Sequence, residues 1–261
     1  MMHVKQPNVA GLFYPGSADE LRSTLEDLMR QASSSTPERP LALVAPHAGY
    51  QYSGPVAANA YATLVPWAEQ IRRVVVLAPS HRVGFAGIAT SSAVVFATPL
   101  GEIPVDQAAV AALRELPGVV QLDEAFAQEH ALEVQLPFLQ TVLPAFELIP
   151  LVVGQADSED VARVIETLVA ADTLIVVSSD LSHFLDYDSC QRRDRSTSTL
   201  IEQMQADKIG PYDACGAFPL RGLLKSARHH GWHARTLDLR NSGDTAGDKS
   251  RVVGYGAYEF Y

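Results

Sequence analysis

The chain has 261 residues and a formal net charge of −10 at pH 7, with 30 acidic and 20 basic side chains. A negative chain is a poor partner for nucleic acid or an anionic membrane surface, and no apolar run approaches the roughly 20 residues that span a bilayer. At about 150 residues per domain the length allows one or two domains. Because no linker separates two halves of different composition, we expect a single domain over residues 1–261.

The N-terminus and the cysteines predict the compartment. The first residues lack the apolar core of a signal peptide. Cys190 and Cys215 are the two cysteines of the chain, so no disulfide framework is implied. We expect both to be inert residues of helical segments, and we expect the protein to be soluble and cytoplasmic.

The first third of the chain alternates predicted helices with apolar strands. Ser17-Ala-Asp-Glu20 is a capping-box pattern that begins an amphipathic helix ending near residue 32. The apolar run at 41–46 predicts a strand buried on both faces. A helix from about 55 to 66 follows, with Pro55 in its first turn, and 73–78 predicts a second buried strand.

The remainder of the chain continues this alternation. The further predicted elements are strands near 146–153, 173–179, 233–239 and 251–260, and helices near 158–169, 190–206 and 212–229. Gly231 lies where the glycine after a helix is expected. Alternating strands and helices indicate an α/β fold with a central, mostly parallel or mixed β-sheet flanked by helices.

Polar side chains follow several of these strands at the point where each strand ends. In open α/β sheets the ligand crevice lies outside the carboxyl ends of the strands. We therefore expect the polar strand ends to share one crevice. The residues concerned are His47, His81, Asp180, His183 and Asp244. Two histidines and one carboxylate with open positions form the facial triad of non-haem Fe(II) sites.

Each of these residues also has a purely structural interpretation. His47 and His81 can bond loop carbonyls, although the repeated pattern of strand, proline and histidine favours a shared site. Asp180 can cap a helix, and Asp244 lies in a turn where a solvated aspartate is usual. Glu129-His130-x-x-Glu133 matches no zinc-hydrolase motif. We expect this segment to form core hydrogen bonds or to support the site from outside.

Seven segments spread over nearly the whole chain resemble the Memo family, called AmmeMemoRadiSam system protein B in prokaryotes. They are Ala10–Tyr14, Pro46–Gly54, Pro79–His81, Thr98–Asp106, Glu129–Phe138, Ser178–His183 and Ser242–Tyr255. That family is similar to the class III extradiol ring-cleavage dioxygenases. The resemblance implies a single α/β domain built around a metal pocket.

The resemblance also implies a role for each pocket residue. The metal histidines of the family fall on His47 and His81, and its third metal ligand falls on Asp244, where animal members carry a cysteine. The pocket aspartate and histidine fall on Asp180 and His183, which implies that His183 is a general acid/base oriented by Asp180. A carboxylate ligand favours a hard metal ion, so we expect Fe(II), with Zn(II) or copper as alternatives.

The function implied is that of a mononuclear non-haem metal-dependent oxygenase of the extradiol type. Tyr52, together with Tyr50 and Phe184, is expected to wall a site for a small, aromatic substrate. Two alternatives are a non-catalytic metal- or peptide-binding module with a dioxygenase-like pocket and a metal-assisted hydrolase. The prokaryotic name implies a pathway shared with an AMMECR-like and a radical-SAM protein. The substrate is left open, because a fold does not determine a function.

Overall fold

The computed structural model describes residues 3–33 and 37–261. The strands are β1 (Val4–Lys5), β2 (Ala42–Ala45), β3 (Arg73–Pro79), β4 (Ile88–Thr90), β5 (Val95–Thr98), β6 (Gly101–Pro104), β7 (Val119–Gln121), β8 (Glu147–Val153), β9 (Thr173–Ser178), β10 (His183–Leu185), β11 (Ala234–Asn241) and β12 (Val252–Phe260). The α-helices are α1 (Ala18–Gln31), α2 (Tyr50–Ala62), α3 (Gln107–Leu113), α4 (Glu124–Ala127), α5 (Leu136–Val142), α6 (Ser158–Leu168), α7 (Tyr187–Glu202), α8 (Ala217–His230) and α9 (Ser242–Thr245).

A mixed sheet with the strand order β10-β12-β2-β9-β3-β8-β4-β7 forms the centre of the fold, and β11 pairs with β12. The four strands β2, β9, β3 and β8 are parallel to one another. Almost every residue of these four strands is buried, as their continuous apolar sequences predict. The α/β fold with a mixed central sheet is therefore confirmed.

A second, smaller sheet has the order β1-β5-β6. It receives the N-terminal segment, because β1 pairs in parallel with β5. The chain then leads to α1, and the backbone N–H of Tyr50 donates a 2.7 Å hydrogen bond to the carbonyl of Phe13. The N-terminal segment is thus fastened beside the start of α2.

Local signals fix most of the helix ends. Ser17 caps α1 by accepting a bond from the backbone N–H of Glu20, and Gly231 ends α8 in the left-handed conformation with φ +70°. The predicted start of α2 near residue 55 is wrong, since the helix begins at Tyr50. Pro55 lies inside the helix and lacks the N–H that would bond to the Gln51 carbonyl. The Tyr50–Phe13 contact, which is tertiary, sets the earlier start.

Strand β12 lies between β2 and β11, two strands whose carboxyl ends are expected at the same edge of the sheet. It is antiparallel to β2 on one side and to β11 on the other. Strand β11 therefore runs in the same direction as β2 but lies one strand further out. A bilayer-crossing helix is absent from the part of the chain that the structure describes.

Candidate metal centre

Three histidine rings meet at the carboxyl ends of β2 and β3. His47 and His81 each follow their strand by two residues, and His130 comes from the turn before α5. The ring centroids are 5.1 Å apart for His47 and His81, 5.5 Å for His47 and His130, and 5.0 Å for His81 and His130. Among the described residues, these three form the set in which one nitrogen per ring lies within 4.8 Å of the others.

Hydrogen bonds from the core determine which nitrogen of His47 carries the proton. His47 Nδ1 lies 2.8 Å from Ser178 Oγ. That hydroxyl donates its only proton to the Ala131 carbonyl and accepts a bond from Gln135 Nε2. The Gln135 amide is itself oriented by the Tyr61 hydroxyl, which donates to its Oε1. Ser178 can therefore only accept from His47, so Nδ1 is protonated and Nε2 keeps its lone pair.

Glu129 determines in the same way which nitrogen of His81 carries a proton. Its carboxylate accepts bonds from His81 Nδ1 at 2.9 Å and from the His81 backbone N–H at 2.7 Å. The backbone N–H groups of His130 and Ala131 also donate to it, each at 2.9 Å. Burial alone would raise the pKa of the Glu129 carboxyl, but the bonds from His81 and the backbone outweigh it and lower that pKa to about 2. Glu129 is thus an anion that leaves His81 Nε2 free.

The environment keeps the imidazoles of His47 and His130 neutral. Burial is the main cause that lowers the pKa of His47 well below its usual value, and the neighbouring histidines lower it further. Burial is also the main cause that lowers the pKa of His130, whose ring packs against Phe13 at 4.8 Å. Neutral imidazole is the form that binds metal ions.

The spacing of the three rings fits one metal ion. Two nitrogens bound to the same ion at about 2.1 Å each lie at most about 4.2 Å apart, and the nitrogens of this cluster lie within 4.8 Å of one another. Small side-chain adjustments close that difference. The outer hydrogen bonds to Ser178 and Glu129 are of the kind that orients metal-binding histidines.

Asp180 and Cys215 approach the cluster from the His47 side. Asp180 Oδ1 accepts a 2.8 Å bond from the His47 backbone N–H, and its Oδ2 lies 4.0 Å from His47 Nε2. Cys215 Sγ lies 3.2 Å from the same Nε2. Burial raises the pKa of both the Asp180 carboxyl and the Cys215 thiol. Cys215 was expected inside a helix, but it lies in the turn before α8.

His183 lies near this group with one nitrogen unbonded. Its Nδ1 lies 2.8 Å from the Leu181 carbonyl, an acceptor only, so Nδ1 carries the proton and Nε2 is free. The charge of His183 contributes to the lowered pKa of His47, after burial and the other two histidines. The structure therefore places His47, His81, Asp180 and His183 in one region, as the strand-end pattern predicts.

Asp244 occupies a different environment. Its Oδ2 accepts a 2.9 Å bond from the Asn241 backbone N–H within a capping box, and its Oδ1 accepts a 2.5 Å bond from the Tyr187 hydroxyl. Strand β12 lies between this turn and the Asp180–His183 segment, since Gly254 exchanges 2.8 Å backbone bonds with Leu181 and Ser182. The structure does not bring Asp244 into the three-histidine set, and its role as third ligand stays a prediction from the resemblance.

Tyr52 lines an open groove beside the histidines. The groove has a volume of about 600 Å³ and is walled by the Gly11–Pro15 segment, Leu28 and the start of α2 at Gly49–Tyr52. Phe13 belongs to this wall and also touches His130, so it joins the groove to the cluster. Tyr50, in contrast, is buried and donates its hydroxyl to the Val134 carbonyl. The Tyr52 hydroxyl is thus better placed than that of Tyr50 to meet a ligand.

The sequence interpretation missed His130 and Cys215 as close neighbours of His47. For His130 a signal existed, because it belongs to the charged Glu129–Glu133 segment in an apolar context. Glu129 supports the site from outside, as expected. For Cys215 the sequence offers no pairing or metal-binding spacing.

Comparisons with known proteins identify relatives over almost the full length. A family model described as Memo-like protein matches residues 5–259. A MEMO1 family protein of Methanopyrus kandleri is 34% identical over 279 residues, which cover 98% of each chain. A MEMO1 family protein of Methanosarcina mazei is 35% identical over 274 residues, again covering 98% of each chain.

Proposed function

The chain belongs to the Memo-like protein family, and from this premise we propose that it is an enzyme holding one transition-metal ion at His47, His81 and His130. One observation carries the proposal. Ser178 and Glu129 engage Nδ1 of His47 and His81, so that Nε2 of each ring retains a lone pair. Both outer partners are buried, and such bonds fix the ring orientation that a metal ligand needs.

Three imidazole nitrogens favour a metal ion of intermediate hardness. Imidazole nitrogens suit iron, zinc, copper and nickel, and Fe(II) is the ion we propose. Cys215 Sγ and Asp180 Oδ2 are the further donor atoms near His47 Nε2. When bound, iron supplies Lewis acidity and reactivity toward dioxygen.

The protein's own residues supply proton transfer and substrate binding. The free Nε2 of His183 can accept a proton from a substrate hydroxyl and return it later, which is the role of a general acid/base. Asp180 holds the backbone of His47, and its carboxyl interacts electrostatically with His183. The groove at Phe13 and Tyr52 accommodates a planar, partly apolar molecule. The reaction we propose is therefore oxygen-dependent cleavage of a small aromatic substrate.

A metal-assisted hydrolase is the second candidate. It is favoured by the three imidazoles of the cluster, because three histidines and an open position are one of the donor sets of catalytic zinc. His183 would then accept a proton from the attacking water. A pathway shared with AMMECR-like and radical-SAM proteins stays a proposal from the family name.

Anaerobic reconstitution tests these proposals. The tag-free protein is loaded separately with Fe(II), Zn(II) and Cu(I), and the bound metal is measured per chain. We expect one ion per chain and, with Fe(II), oxygen uptake on addition of catechols. Hydrolysis of p-nitrophenyl acetate by the zinc form, without oxygen uptake by the iron form, would favour the hydrolase. Metal binding without either activity would favour a binding module.

A further inference from the structure

A buried carboxyl group packs against the Asp180–His183 segment and has no part in the chemistry described so far. It belongs to Asp194 of α7, which is 2% exposed. Its Oδ1 accepts a 3.1 Å bond from the backbone N–H of Ser182, and its Oδ2 accepts a 3.1 Å bond from the Cys190 thiol. No cationic side chain of the described residues forms an ion pair with it. A buried acid without such a partner is costly, so its position has a structural or functional cause.

The two groups that donate to Asp194 keep their protons. Burial raises the pKa of the Cys190 thiol to about 12, and a backbone N–H does not titrate. Burial also raises the pKa of the Asp194 carboxyl, while the bonds from Cys190 and Ser182 lower it. Oδ1 can accept from Ser182 when the carboxyl is ionised and also when Oδ2 carries a proton. The bond to Ser182 therefore exists in either form.

Strand β12 leaves room for this carboxyl at Gly254. A Cβ at this position would lie 1.7 Å from Asp194 Oδ2, so a larger residue would displace the carboxyl. Gly254 also accepts a bond from the Leu181 N–H and donates one to the Ser182 carbonyl, each at 2.8 Å. The Leu181–Ser182 backbone is thus held both by β12 and by Asp194.

One planar peptide group connects Asp194 to the ring of His183. The C=O of Leu181 and the N–H of Ser182 belong to the same trans peptide unit, so they point in opposite directions. Asp194 accepts from this N–H, and the C=O accepts a 2.8 Å bond from His183 Nδ1. Holding the plane of the peptide therefore fixes the carbonyl that keeps the proton on Nδ1. Hydrogen bonds in such a chain also polarise one another.

Asp180 does not provide this connection. Its Oδ1 accepts from the His47 backbone N–H, and no hydrogen bond joins its carboxyl to the His183 ring in the described part of the chain. Asp180 and Asp194 thus have different tasks. The first holds the backbone of a cluster histidine, and the second holds the peptide to which the His183 ring is bonded.

The backbone directly after His183 is strained. Phe184 has a φ of +63°, and the register between β10 and β12 shifts between His183 and Leu185, which makes Phe184 a β-bulge. The bulge leaves its side chain 61% exposed. A bulky residue keeps such a left-handed conformation only where its surroundings impose it. The bond from Ser182 to Asp194 is one of the contacts that hold the chain immediately before this bulge.

We propose that Asp194 is the positioning residue of His183 and acts through the Leu181–Ser182 peptide. The carboxyl holds the plane of the peptide, and the peptide carbonyl selects the tautomer of His183 in which Nε2 keeps its lone pair. This inference rests on the proposed function in taking His183 as the general acid/base. It adds the group that keeps this base in its proton-accepting form.

The test determines the tautomer of His183 in the metal-free protein at about pH 8, above the usual pKa of histidine. Nitrogen-15 NMR of protein labelled in its histidine rings distinguishes protonated from unprotonated ring nitrogens, and comparison with His183→Gln assigns the signals. Asp194→Ala removes both acceptor oxygens, whereas Asp194→Asn retains one. The matched control is Ser198→Ala, because Ser198 lies four residues further along α7 and its buried hydroxyl is 2.7 Å from the Tyr258 hydroxyl of β12.

We expect His183 of the wild-type protein to carry its proton on Nδ1. Asp194→Ala should lower the ratio of the Nδ1–H to the Nε2–H tautomer at least about tenfold, the scale of one lost hydrogen bond. Asp194→Asn should keep the ratio within about threefold, because its amide oxygen can still accept from Ser182. Ser198→Ala should lower the stability of the protein without changing the ratio. Circular dichroism of each variant verifies that the fold is retained.

Four results would overturn the inference. They are a wild-type His183 protonated on Nε2, a ratio that Asp194→Ala leaves unchanged, an equal loss in Asp194→Asn, and an equal loss in Ser198→Ala. The measurements on the wild type and on Asp194→Asn remain decisive if Asp194→Ala does not fold.

The same measurements separate this inference from the proposed function, because they need neither metal nor substrate. A protein that binds no metal but loses the Nδ1–H tautomer in Asp194→Ala contradicts the metal proposal alone. An iron-loaded wild-type protein that takes up oxygen with catechols, combined with an unchanged tautomer in Asp194→Ala, contradicts the inference alone.

Discussion

The histidine cluster and the Asn241–Asp244 turn follow strands that run in the same direction, yet they differ in what their side chains still offer. His47 and His81 each bond Nδ1 to a buried partner, which leaves Nε2 of His81 toward the cluster and Nε2 of His47 beside the weak thiol donor of Cys215. Asp244 accepts one hydrogen bond on each carboxylate oxygen, from the Asn241 N–H and the Tyr187 hydroxyl, and it lies outside the three-histidine set. Both regions carry residue types that bind metal ions.

This difference shows that residue type and strand position do not suffice to identify a ligand. A ligand needs a lone pair that points at the same position as the lone pairs of the other ligands. At the cluster, buried partners determine which lone pair remains. At the turn, the capping box uses the carboxylate to complete a short helix. The following experiments contrast the two regions, beginning with the largest expected effect on metal binding.

Replacing a cluster histidine should have the largest effect. We expect His47→Ala or His81→Ala to abolish stoichiometric metal binding, because each removes a nitrogen that nothing else in the cluster replaces. Metal analysis after anaerobic loading measures this effect. His230→Ala is the matched control, since this exposed histidine lies at the end of α8. Full metal occupancy in either cluster variant would contradict the ligand assignment.

Replacing the carboxylate behind His81 should have the next largest effect. Glu129→Gln removes the anion that accepts from His81 Nδ1, and we expect metal affinity to fall about 10- to 100-fold. Competitive titration against a chelator of known affinity measures the change.

Glu133→Gln is the matched control for this change. Glu133 lies four residues further along the chain and holds the N-terminal segment through Val9 and Tyr14. Its replacement should lower the free energy of unfolding by about 1–3 kcal/mol with metal affinity unchanged. An equal loss of affinity in both variants would mean that Glu129 acts through the fold.

Removing the hydroxyl behind His47 should have a smaller effect. Ser178→Ala deletes the acceptor of His47 Nδ1, so the ring no longer has a fixed tautomer, and we expect about tenfold weaker metal binding. Nitrogen-15 NMR of the histidine rings reports the tautomer directly. In the wild-type protein without metal, His47 should carry its proton on Nδ1. An Nδ1 resonance without a proton would refute the hydrogen-bond assignment.

Changing Asp244 should have the smallest effect on the metal. The geometry leads us to expect metal affinities within about twofold after Asp244→Asn, and a stability loss of at most about 1 kcal/mol from the weakened cap. The family resemblance leads to the opposite expectation, weaker binding of every divalent ion. Titration with Fe(II) and Zn(II) decides between them. A large loss of affinity for both ions would show that Asp244 is a metal ligand.

Several features of this protein follow from the sequence alone. Continuous apolar runs specify the buried parallel strands β2, β3 and β9, because both faces of such strands are covered. Local capping patterns fix the start of α1 at Ser17 and the end of α8 at Gly231. The histidines that follow β2 and β3 appear at the expected edge of the sheet. The sequence predicts these features because each depends on residues that are close together along the chain.

Only the tertiary structure decided which groups meet at that edge. His81 is bonded to a carboxylate 48 positions away, and His47 meets a thiol 168 positions away. The insertion of β12 between β2 and β11 places the Asn241–Asp244 turn one strand further out than the end of β2. Strand order and side-chain partners depend on contacts between distant segments, and periodicity in the sequence carries no record of them. The sequence therefore determined the candidate donors, while the packing of distant segments determined which of them come together.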